Sequence, residues 1–382
     1  MVNTPKYSLA ELTQYFLKLG TTGFGGPVAL VEYMRRDLVE ERQWISEEEY
    51  KEGLALAELA PGPLATQLAI FLGFVHYGIF GATVAGLIFV LPSFVMVVLL
   101  GMLYKLYGGL PWMQAVFYGV GASVIGIIAL SAYKLTTKTI SADAWLWLFY
   151  GVAAAATIIT QQEEGWLLVG AGILYMMIKA PPQWIQKQKT VSAFLLSNVG
   201  FWKFQWPTLW KIAWLFTKAG AFVFGSGLAI VPFLHGGVVT DLGWLSERQF
   251  LDAVAVAMIT PGPVVITVGF IGYLVAGFPG ACVAALGIFL PCYLFTIIPA
   301  PYFKHIAKNK SIKAFVDGIT AAVIGALMGA VVLIAIRSIT DATTALIAAG
   351  TVIALLTLKK LQEPTIILIA AALGFVIKTV VL

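Results

Sequence analysis

Two lysines and two Pro-Gly-Pro triplets are the residues of this sequence whose types and positions could do chemistry. Lys18 and Lys218 each stand in a run that is otherwise apolar or small, where a charged side chain is costly and usually functional. The triplets at residues 61–63 and 261–263 interrupt apolar runs, and proline removes a backbone donor and breaks a helix. Freed amides at a helix start and a nearby ammonium group could together bind an anion. The alternative for each lysine is to reach the lipid headgroups from a helix end.

The composition indicates what kind of chain positions these groups. Of 382 residues, 60% are hydrophobic and 11% are charged, and the mean hydropathy is +0.90, whereas a soluble domain carries about a quarter charged residues. We therefore predict an all-α, multi-pass membrane protein with room for about a dozen spans of ~20 residues. The net charge of +5 is spread along the loops, which argues against nucleic-acid binding. The first residues lack the pattern of a cleaved signal peptide, so we expect the N-terminus to be retained.

The second half of the sequence repeats the first. Identical residues recur at an offset of 200 and, after a one-residue slip, at an offset of 199. This regularity predicts two tandem homologous repeats, residues 1–190 and 191–382, joined by a polar stretch at residues 181–189. The identical pairs include Phe16 and Phe216, Lys18 and Lys218, Phe24 and Phe224, Trp44 and Trp244, Pro61 and Pro261, Gly126 and Gly325, and Gly151 and Gly350.

Six helical segments are predicted in each repeat, and two of them are broken. In the first repeat the segments fall near residues 8–34, 46–78, 80–104, 113–134, 142–160 and 165–179. The motif Gly23-Phe-Gly-Gly-Pro27 interrupts the first segment, and the Pro-Gly-Pro triplet interrupts the second. A simple kink is the alternative, since lone prolines are common in membrane helices, but a repeated double proline favours a true break. Ser46 followed by Glu49 predicts a capping box at the start of the second segment.

The basic residues of the loops indicate how the repeats are oriented, because lysine and arginine concentrate on the cytoplasmic side of short loops. The loop after the first segment carries four of them in the first repeat and one in the second, and the loop after the third segment has the opposite bias. We therefore predict inverted repeats, in which each second segment is a re-entrant hairpin that turns at Pro-Gly-Pro. Both termini are then expected outside.

Inverted repeats with broken helices direct half-helix N-termini at the bilayer midplane, where free N–H groups and the positive end of the helix dipole favour an anion. Small and hydroxyl residues follow the breaks, so a ligand could reach the amides. For any single hydroxyl, the alternative is a hydrogen bond back to its own helix. The predicted substrate-binding residues are Lys18, Thr22, Gly25, Gly26, Pro61, Gly62, Pro63, Thr66, Gln67, Lys218, Gly225, Ser226, Pro261, Gly262, Pro263 and Thr267.

One carboxyl group differs between the repeats. Glu58 lies one helical turn before the first Pro-Gly-Pro triplet, whereas its counterpart is Met258. A desolvated carboxyl can take up and release a proton near neutrality, so Glu58 is the predicted proton-coupling residue. The alternative is a structural salt bridge with Lys51 or Lys18. Asp252, in the second repeat, is expected to be solvated, like the acidic cluster at residues 40–52.

The paired motifs resemble those of a known family. Phe24-Gly-Gly-Pro27, the loop at Trp44, Ala60-Pro-Gly-Pro63 and their second-repeat echoes look like the chromate ion transporter family, of the long-chain two-domain type, over nearly the whole chain. The resemblance implies a secondary transporter that moves chromate outward across the bacterial inner membrane. The second repeat departs from the pattern, because Phe224-Gly-Ser-Gly227 lacks the proline, so the two halves need not contribute equally.

Other functions stay open at this point. Sulfate and chromate have nearly the same size and charge, so a carrier of sulfate or another oxyanion also fits, and a passive anion channel could use the same helix ends. A membrane enzyme is least favoured, because the three histidines are isolated in sequence, the cysteines Cys282 and Cys292 fit packing positions, and no nucleotide-binding motif occurs. We therefore predict no metal and no cofactor. The expected partners are an oxyanion and the lipid bilayer, and a homodimer is left open.

Overall fold

The protein is described here by a computed structural model that covers residues 7–24, 26–140, 143–161, 165–181, 207–222, 227, 230–303, 309–358 and 363–381. These residues form fourteen α-helices and contain no strand, which confirms the predicted all-α fold class. The helices are α1 (Leu9–Thr22), α2 (Gly26–Met34), α3 (Glu47–Leu59), α4 (Leu64–Tyr107), α5 (Pro111–Thr139), α6 (Ala144–Thr160), α7 (Gly165–Lys179), α8 (Thr208–Phe222), α9 (Ile230–His235), α10 (Glu247–Ile259), α11 (Thr267–Ile297), α12 (Lys310–Ser338), α13 (Ala342–Thr357) and α14 (Glu363–Val376).

Several of these helices are built to lie in a bilayer. Four stretches are long and apolar enough to cross it, namely Leu64–Tyr107, Pro111–Thr139, Val264–Tyr302 and Lys310–Ser338. Shorter apolar helices occur at Ala144–Thr160, Gly165–Lys179 and Ala342–Thr357. The fold is that of a multi-pass membrane protein, as the composition predicts.

Capping residues fix where α3 and α10 begin. At the start of α3, the Ser46 hydroxyl accepts the Glu49 amide at 3.2 Å, and the Glu49 carboxylate accepts the Ser46 amide at 2.9 Å. This reciprocal pair is the predicted capping box. Ser246 and Gln249 form the same box at the start of α10, so the two repeats enter their second segment in the same way.

Both predicted breaks interrupt helices. The segment predicted at residues 8–34 is α1 followed by α2, with Gly26 at a φ of 75°. The segment predicted at residues 46–78 is α3 followed by the first part of α4, with Gly62 at a φ of 146° between them. Gly262 takes a φ of 94° at the equivalent point of the second repeat. Glycine reaches these positive φ values without the strain that a Cβ would cause.

The chain turns back sharply at Gly78 within α4 and at Gly277 within α11, where φ is 59° and 65°. A Cβ on Gly73 would lie only 2.4 Å from the carbonyl oxygen of Gly81, although a continuous helix separates residues eight apart by about 12 Å. Gly272 and Gly280 make the same close approach in the second repeat. Each of α4 and α11 is therefore a tight pair of helices, and small residues let their backbones meet.

The later helices of each repeat pack against the other repeat. Helix α12 of the second repeat packs against α6 and α7 of the first, and α5 of the first packs against α13 and α14 of the second. A Cβ on Gly325 would meet the Tyr150 carbonyl oxygen at 2.2 Å, and one on Gly126 would meet the Ala348 carbonyl oxygen at 2.6 Å. Gly126 and Gly325 are equivalent under the repeat offset, and each packs against a helix of the other repeat, so the two repeats exchange helices in the same way.

Helices α4 and α11 also meet each other, and their later parts run in opposite directions. The hydroxyls of Thr83 and Tyr293 lie 2.6 Å apart, and the ring centroids of Phe94 and Phe278 lie 6.4 Å apart. As the chain of α4 advances from Thr83 to Phe94, its partner on α11 moves backward from Tyr293 to Phe278. These two segments occupy equivalent positions in the repeats, and they pack antiparallel.

We predict that Gly325→Ala destabilises the protein by about 1–3 kcal/mol, because the added methyl would overpack the contact with the backbone of Tyr150. The matched control is Gly151→Ala, since a Cβ on this exposed helical glycine meets nothing within 4 Å. Thermal unfolding of the detergent-purified variants should show a lower Tm for the first and an equal or slightly higher Tm for the second. Equal unfolding temperatures would contradict the exchanged packing.

Candidate functional site

The second Pro-Gly-Pro loop is held by the first repeat. The Gly262 amide donates a hydrogen bond to the Gly23 carbonyl at 3.0 Å, and the Ser93 hydroxyl donates to the Pro261 carbonyl at 2.7 Å. Gly23 belongs to the break between α1 and α2, and Ser93 follows Pro92 inside α4. The structure therefore joins the first break of one repeat to the Pro-Gly-Pro loop of the other, including the predicted site residues Pro261, Gly262 and Pro263.

The first Pro-Gly-Pro loop lies against the second repeat in the equivalent way. A Cβ on Gly62 would come within 3.0 Å of the Cys292 sulfur, and Cys292 occupies the position of Ser93 at the offset of 199. The side-chain amide of Gln67 donates to the Pro61 carbonyl at 2.9 Å and holds this loop from its own repeat. Cys292 is fully buried in apolar packing.

Thr66 and Gln67 keep polar atoms that the protein does not use. The Thr66 hydroxyl and the Gln67 side-chain oxygen are buried and have no hydrogen-bond partner. Both lie in the first turn of α4, where the Gln67 amide donates to the Pro63 carbonyl at 3.0 Å. A buried hydroxyl without a partner is costly, so the Thr66 side chain has capacity for a further hydrogen bond.

The other described hydroxyls of the predicted site are already engaged. Thr22 donates to the Lys18 carbonyl at 2.9 Å, and Thr267 donates to the Val264 carbonyl at 2.7 Å. These are the hydrogen bonds back to the helix that formed the alternative explanation for such residues. In the second repeat, Ile266 and Thr267 stand where the first repeat has Thr66 and Gln67. The two Pro-Gly-Pro turns thus differ in polarity.

Lys18 opens onto a basic cavity of about 400 Å³ beside the first break. Arg36 and Arg42 line the same cavity together with Asp37, which pairs with Arg36 at 2.9 Å. The Arg42 guanidinium stacks 4.5 Å from the centre of the Trp44 ring. Three cations against one carboxylate give this cavity a positive potential that would attract anions.

Lys218 lies in different surroundings. Its side chain is exposed, and its Cε would lie 3.9 Å from a Cβ on Gly165, at the start of α7. The predicted site residue Gly26 starts α2, whereas Gly25, Gly225 and Ser226 lie outside the described residues. The predicted set thus falls into two groups: the first Pro-Gly-Pro loop with Thr66 and Gln67, and the second Pro-Gly-Pro loop at the break after α1, beside Lys18 and Thr22.

The placement of the carboxyl groups corrects the sequence analysis. Asp252, expected to be solvated, is only 2% exposed, because it lies on the face of α10 that packs between the repeats. Tyr104 donates to one of its oxygens at 2.6 Å, and the other oxygen has no partner. Glu58, chosen because burial would make it titrate, is exposed on α3. A signal in the sequence could have pointed to Asp252: the equivalent position of the first repeat, Glu52, is also acidic.

Two of the histidines that look isolated in sequence have partners in the structure. His76 lies 2.8 Å from the Tyr7 hydroxyl, and His235 lies 2.6 Å from the Glu247 carboxylate. Arg337 also donates to Glu247, at 2.8 Å. Burial raises the pKa of Glu247, but the hydrogen bonds from His235 and Arg337 outweigh it and leave the pKa below its ordinary value. Within the described ranges, no group of three or more metal-ligating side chains occurs.

Comparison with known proteins gives a consistent result. The family model described as chromate transporter matches twice, at residues 10–176 and 210–375. The chain is 62% identical to the chromate transport protein of Cupriavidus metallidurans over 377 residues, which cover 97% of this chain and 94% of the relative. It is 61% identical to the probable chromate transport protein of Synechococcus elongatus over 379 residues, which cover 97% of this chain and 96% of the relative. No solved structure matches the chain significantly.

A more distant relative is the chromate transport protein of Pseudomonas aeruginosa. It is 32% identical over 342 residues, which cover 85% of this chain and 80% of that protein. The two matched ranges of the family model correspond to the two repeats found in the sequence.

Proposed function

Because the chain belongs to the chromate transporter family, we propose that it is a secondary transporter that carries chromate outward across the bacterial inner membrane. The observation that carries this proposal is the identity of 62% to a chromate transport protein over 97% of the chain. The membership favours a transporter over an enzyme. The remaining question is how this fold would hold and move a tetrahedral dianion.

We propose that the dianion binds at the first turn of α4, after Pro61-Gly62-Pro63. The Thr66 hydroxyl is buried without a partner, and the amides of this turn carry the positive end of the helix dipole. Gln67 holds the turn in shape through the Pro61 carbonyl. The basic cavity at Lys18 would attract the anion to the protein, and it adjoins the break that contacts the second Pro-Gly-Pro loop.

The proposal includes inverted repeats, and two features of the fold support this topology. The equivalent parts of α4 and α11 pack antiparallel, as expected of a two-fold axis in the membrane plane and not of one along the membrane normal. Helix α3 has 13 residues and therefore spans only about 20 Å, less than the ~30 Å hydrocarbon core. A half-helix of this length fits a re-entrant hairpin that turns at Pro-Gly-Pro.

The membrane potential supplies a driving force for the proposed direction. Moving one charge across 100 mV is worth about 2.3 kcal/mol, so a dianion leaving a cell that is negative inside gains about 4.6 kcal/mol. Outward movement is then downhill electrically. Proton coupling is a further part of the proposal. The residue chosen for it from the sequence, Glu58, is exposed on α3, so the burial that would make it titrate near neutrality is missing.

The function is tested by uptake of labelled chromate into inside-out membrane vesicles. We expect chromate to accumulate when a potential, positive inside the vesicle, is imposed, since this polarity drives outward transport in the cell. Unlabelled chromate added inside the vesicles should speed uptake by exchange, which a carrier performs and a channel does not. Vesicles that accumulate sulfate but not chromate would identify a sulfate carrier, and uptake without exchange would identify a channel.

We expect the charge of the two repeated lysines to matter for binding. Lys18→Met and Lys218→Met should each raise the half-saturation for chromate about ten- to a hundredfold, because a charge-assisted contact is worth ~1.5–3 kcal/mol. Lys→Arg at either position should have a smaller effect, and sulfate should compete better than a monovalent anion of similar size. Unchanged half-saturation in both Met variants, at normal membrane levels, would reduce the lysines to interfacial anchors.

The topology predicts opposite labelling of equivalent positions. In a background of Cys282→Ala and Cys292→Ser, single cysteines are introduced by Gln43→Cys and Gly243→Cys. Gln43 already has a φ of 52°, close to the 56° of Gly243, so the two sites are matched in backbone shape. An impermeant thiol reagent should label one in intact cells and the other only in inside-out vesicles. Labelling from the same side would rule out inverted repeats.

A further inference from the structure

Asp252 is the buried carboxyl group at the centre of the contact between the repeats. It is 2% exposed and lies on α10, which packs against α5 of the first repeat and α11, α12 and α14 of the second. The Tyr104 hydroxyl donates to one carboxyl oxygen at 2.6 Å, and the other oxygen is buried without a partner. Tyr104 comes from α4 of the first repeat, so each repeat contributes one member of this pair.

The neighbouring cations do not neutralise Asp252 in this conformation. Arg248, one turn earlier on α10, donates at 2.5 Å to the Gln114 carbonyl at the start of α5. Arg337 donates to Glu247 at 2.8 Å and to Gln161 at 2.5 Å. A buried carboxylate that has only a tyrosine donor is destabilised relative to the neutral acid. Burial therefore favours the neutral acid, against the hydrogen bond from Tyr104 and the positive charge of Arg248.

Two cavities meet at Asp252, and the larger is mainly polar. The larger, of about 510 Å³, is lined by Tyr104, Lys105, Gln114, Arg248 and Gln249 among others. The smaller, of about 280 Å³, is lined by Tyr118, Glu247, Arg248, Arg337 and Ser338 among others. The titratable and charged groups around Asp252 thus come from α4 (Tyr104 and Lys105), α5 (Tyr118), α10 (Glu247 and Arg248) and α12 (Arg337), whereas α11 contributes the apolar Leu274 and α14 lines neither cavity.

The cations of the larger cavity can attract either the Asp252 carboxylate or a bound anion. Lys105 and Arg248 both line it, and an oxyanion held there would be repelled by an ionised Asp252 at short range. Protonation of Asp252 removes this repulsion, so that the positive charges of Lys105 and Arg248 act on the ligand alone. Because linkage is reciprocal, an oxyanion in the cavity would in turn strengthen proton binding by Asp252.

Resting on the proposed transport of an oxyanion, we propose that Asp252 is the proton-binding residue of the transport cycle and that its proton and the oxyanion bind to the same state of the protein. The site would be the cavity at Lys105 and Arg248, a second anion position beyond the Pro-Gly-Pro turns. Asp252, and not Glu58, then links transport to pH.

The arrangement of a buried carboxyl group, a tyrosine and an arginine at Asp252 is not repeated at the equivalent positions of the other half. Glu52 occupies the position of Asp252, but Glu48 stands in place of Arg248, and Phe303 stands in place of Tyr104. The first repeat therefore lacks both the cation and the phenol that define the site. A single proton site follows, at one end of the bundle.

The test measures equilibrium binding of labelled chromate to the purified full-length protein from about pH 6 to about pH 9, a range in which a shifted carboxyl group can titrate. Parent and variants are compared at the same pH, so the titration of chromate itself cancels in the ratio of affinities. Asp252→Asn, which mimics the neutral acid, should match the parent at the low end and bind at least about tenfold tighter at the high end. Glu52→Gln is the matched control and should follow the parent throughout.

A second variant tests the assignment even if Asp252→Asn does not fold. Tyr104→Phe removes the donor that stabilises the carboxylate, so the midpoint of the pH dependence should move to higher pH. Two results would overturn the assignment. One is a ratio of chromate affinities between Asp252→Asn and the parent that does not change with pH, together with an unchanged midpoint of the pH dependence in Tyr104→Phe. The other is loss of the pH dependence in Glu58→Gln. If the parent fails to bind chromate at every pH, the proposed function itself is wrong.

Discussion

The constraint on which the structure depends is that backbone polar groups buried in a bilayer must find partners inside the protein. The break after α1 and the two Pro-Gly-Pro loops free amides and carbonyls that lipid cannot satisfy. The second Pro-Gly-Pro loop meets this demand by crossing to the first repeat, where Gly23 accepts from Gly262 and Ser93 donates to Pro261. The contact between the repeats thus satisfies backbone groups that the breaks leave unpaired.

The same requirement explains the glycines at the contacts between repeats. For a loop of one repeat to reach the break of the other, the surrounding helices must approach more closely than large side chains allow. Gly119 meets the backbone near Ala370, and Gly318 meets the backbone near Ala171. These positions are equivalent, so the exchange of helices is built from one pattern of small residues used twice. Glycines that face outward, such as Gly151, have no such neighbour.

The sequence predicts the helices and breaks of this fold better than the contacts between residues that are far apart in the chain. The offset of the repeats, the breaks at residues 23–27 and 61–63 and the capping box at Ser46 follow from local patterns, because prolines, glycines and capping residues act within a few positions of themselves. Ser93 carries no such local signal, since its role depends on a carbonyl 168 positions away. The burial of Asp252 was mispredicted for the same reason: its distance from the break along the chain says nothing about α5 and α14 packing over it.

The two repeats have equivalent backbones but different side chains around their Pro-Gly-Pro loops. The two Pro-Gly-Pro loops contact equivalent positions of the opposite repeat, Cys292 for the first loop and Ser93 for the second. Here one Pro-Gly-Pro turn holds Thr66 and Gln67 with unused polar atoms, and the other holds Ile266 and an internally bonded Thr267. One repeat likewise pairs Arg35 with Glu47, and the other pairs His235 with Glu247. The backbone thus repeats the same Pro-Gly-Pro loops and capped helices in both halves, while the side chains at equivalent positions differ, so that the two halves need not interact with an anion equally.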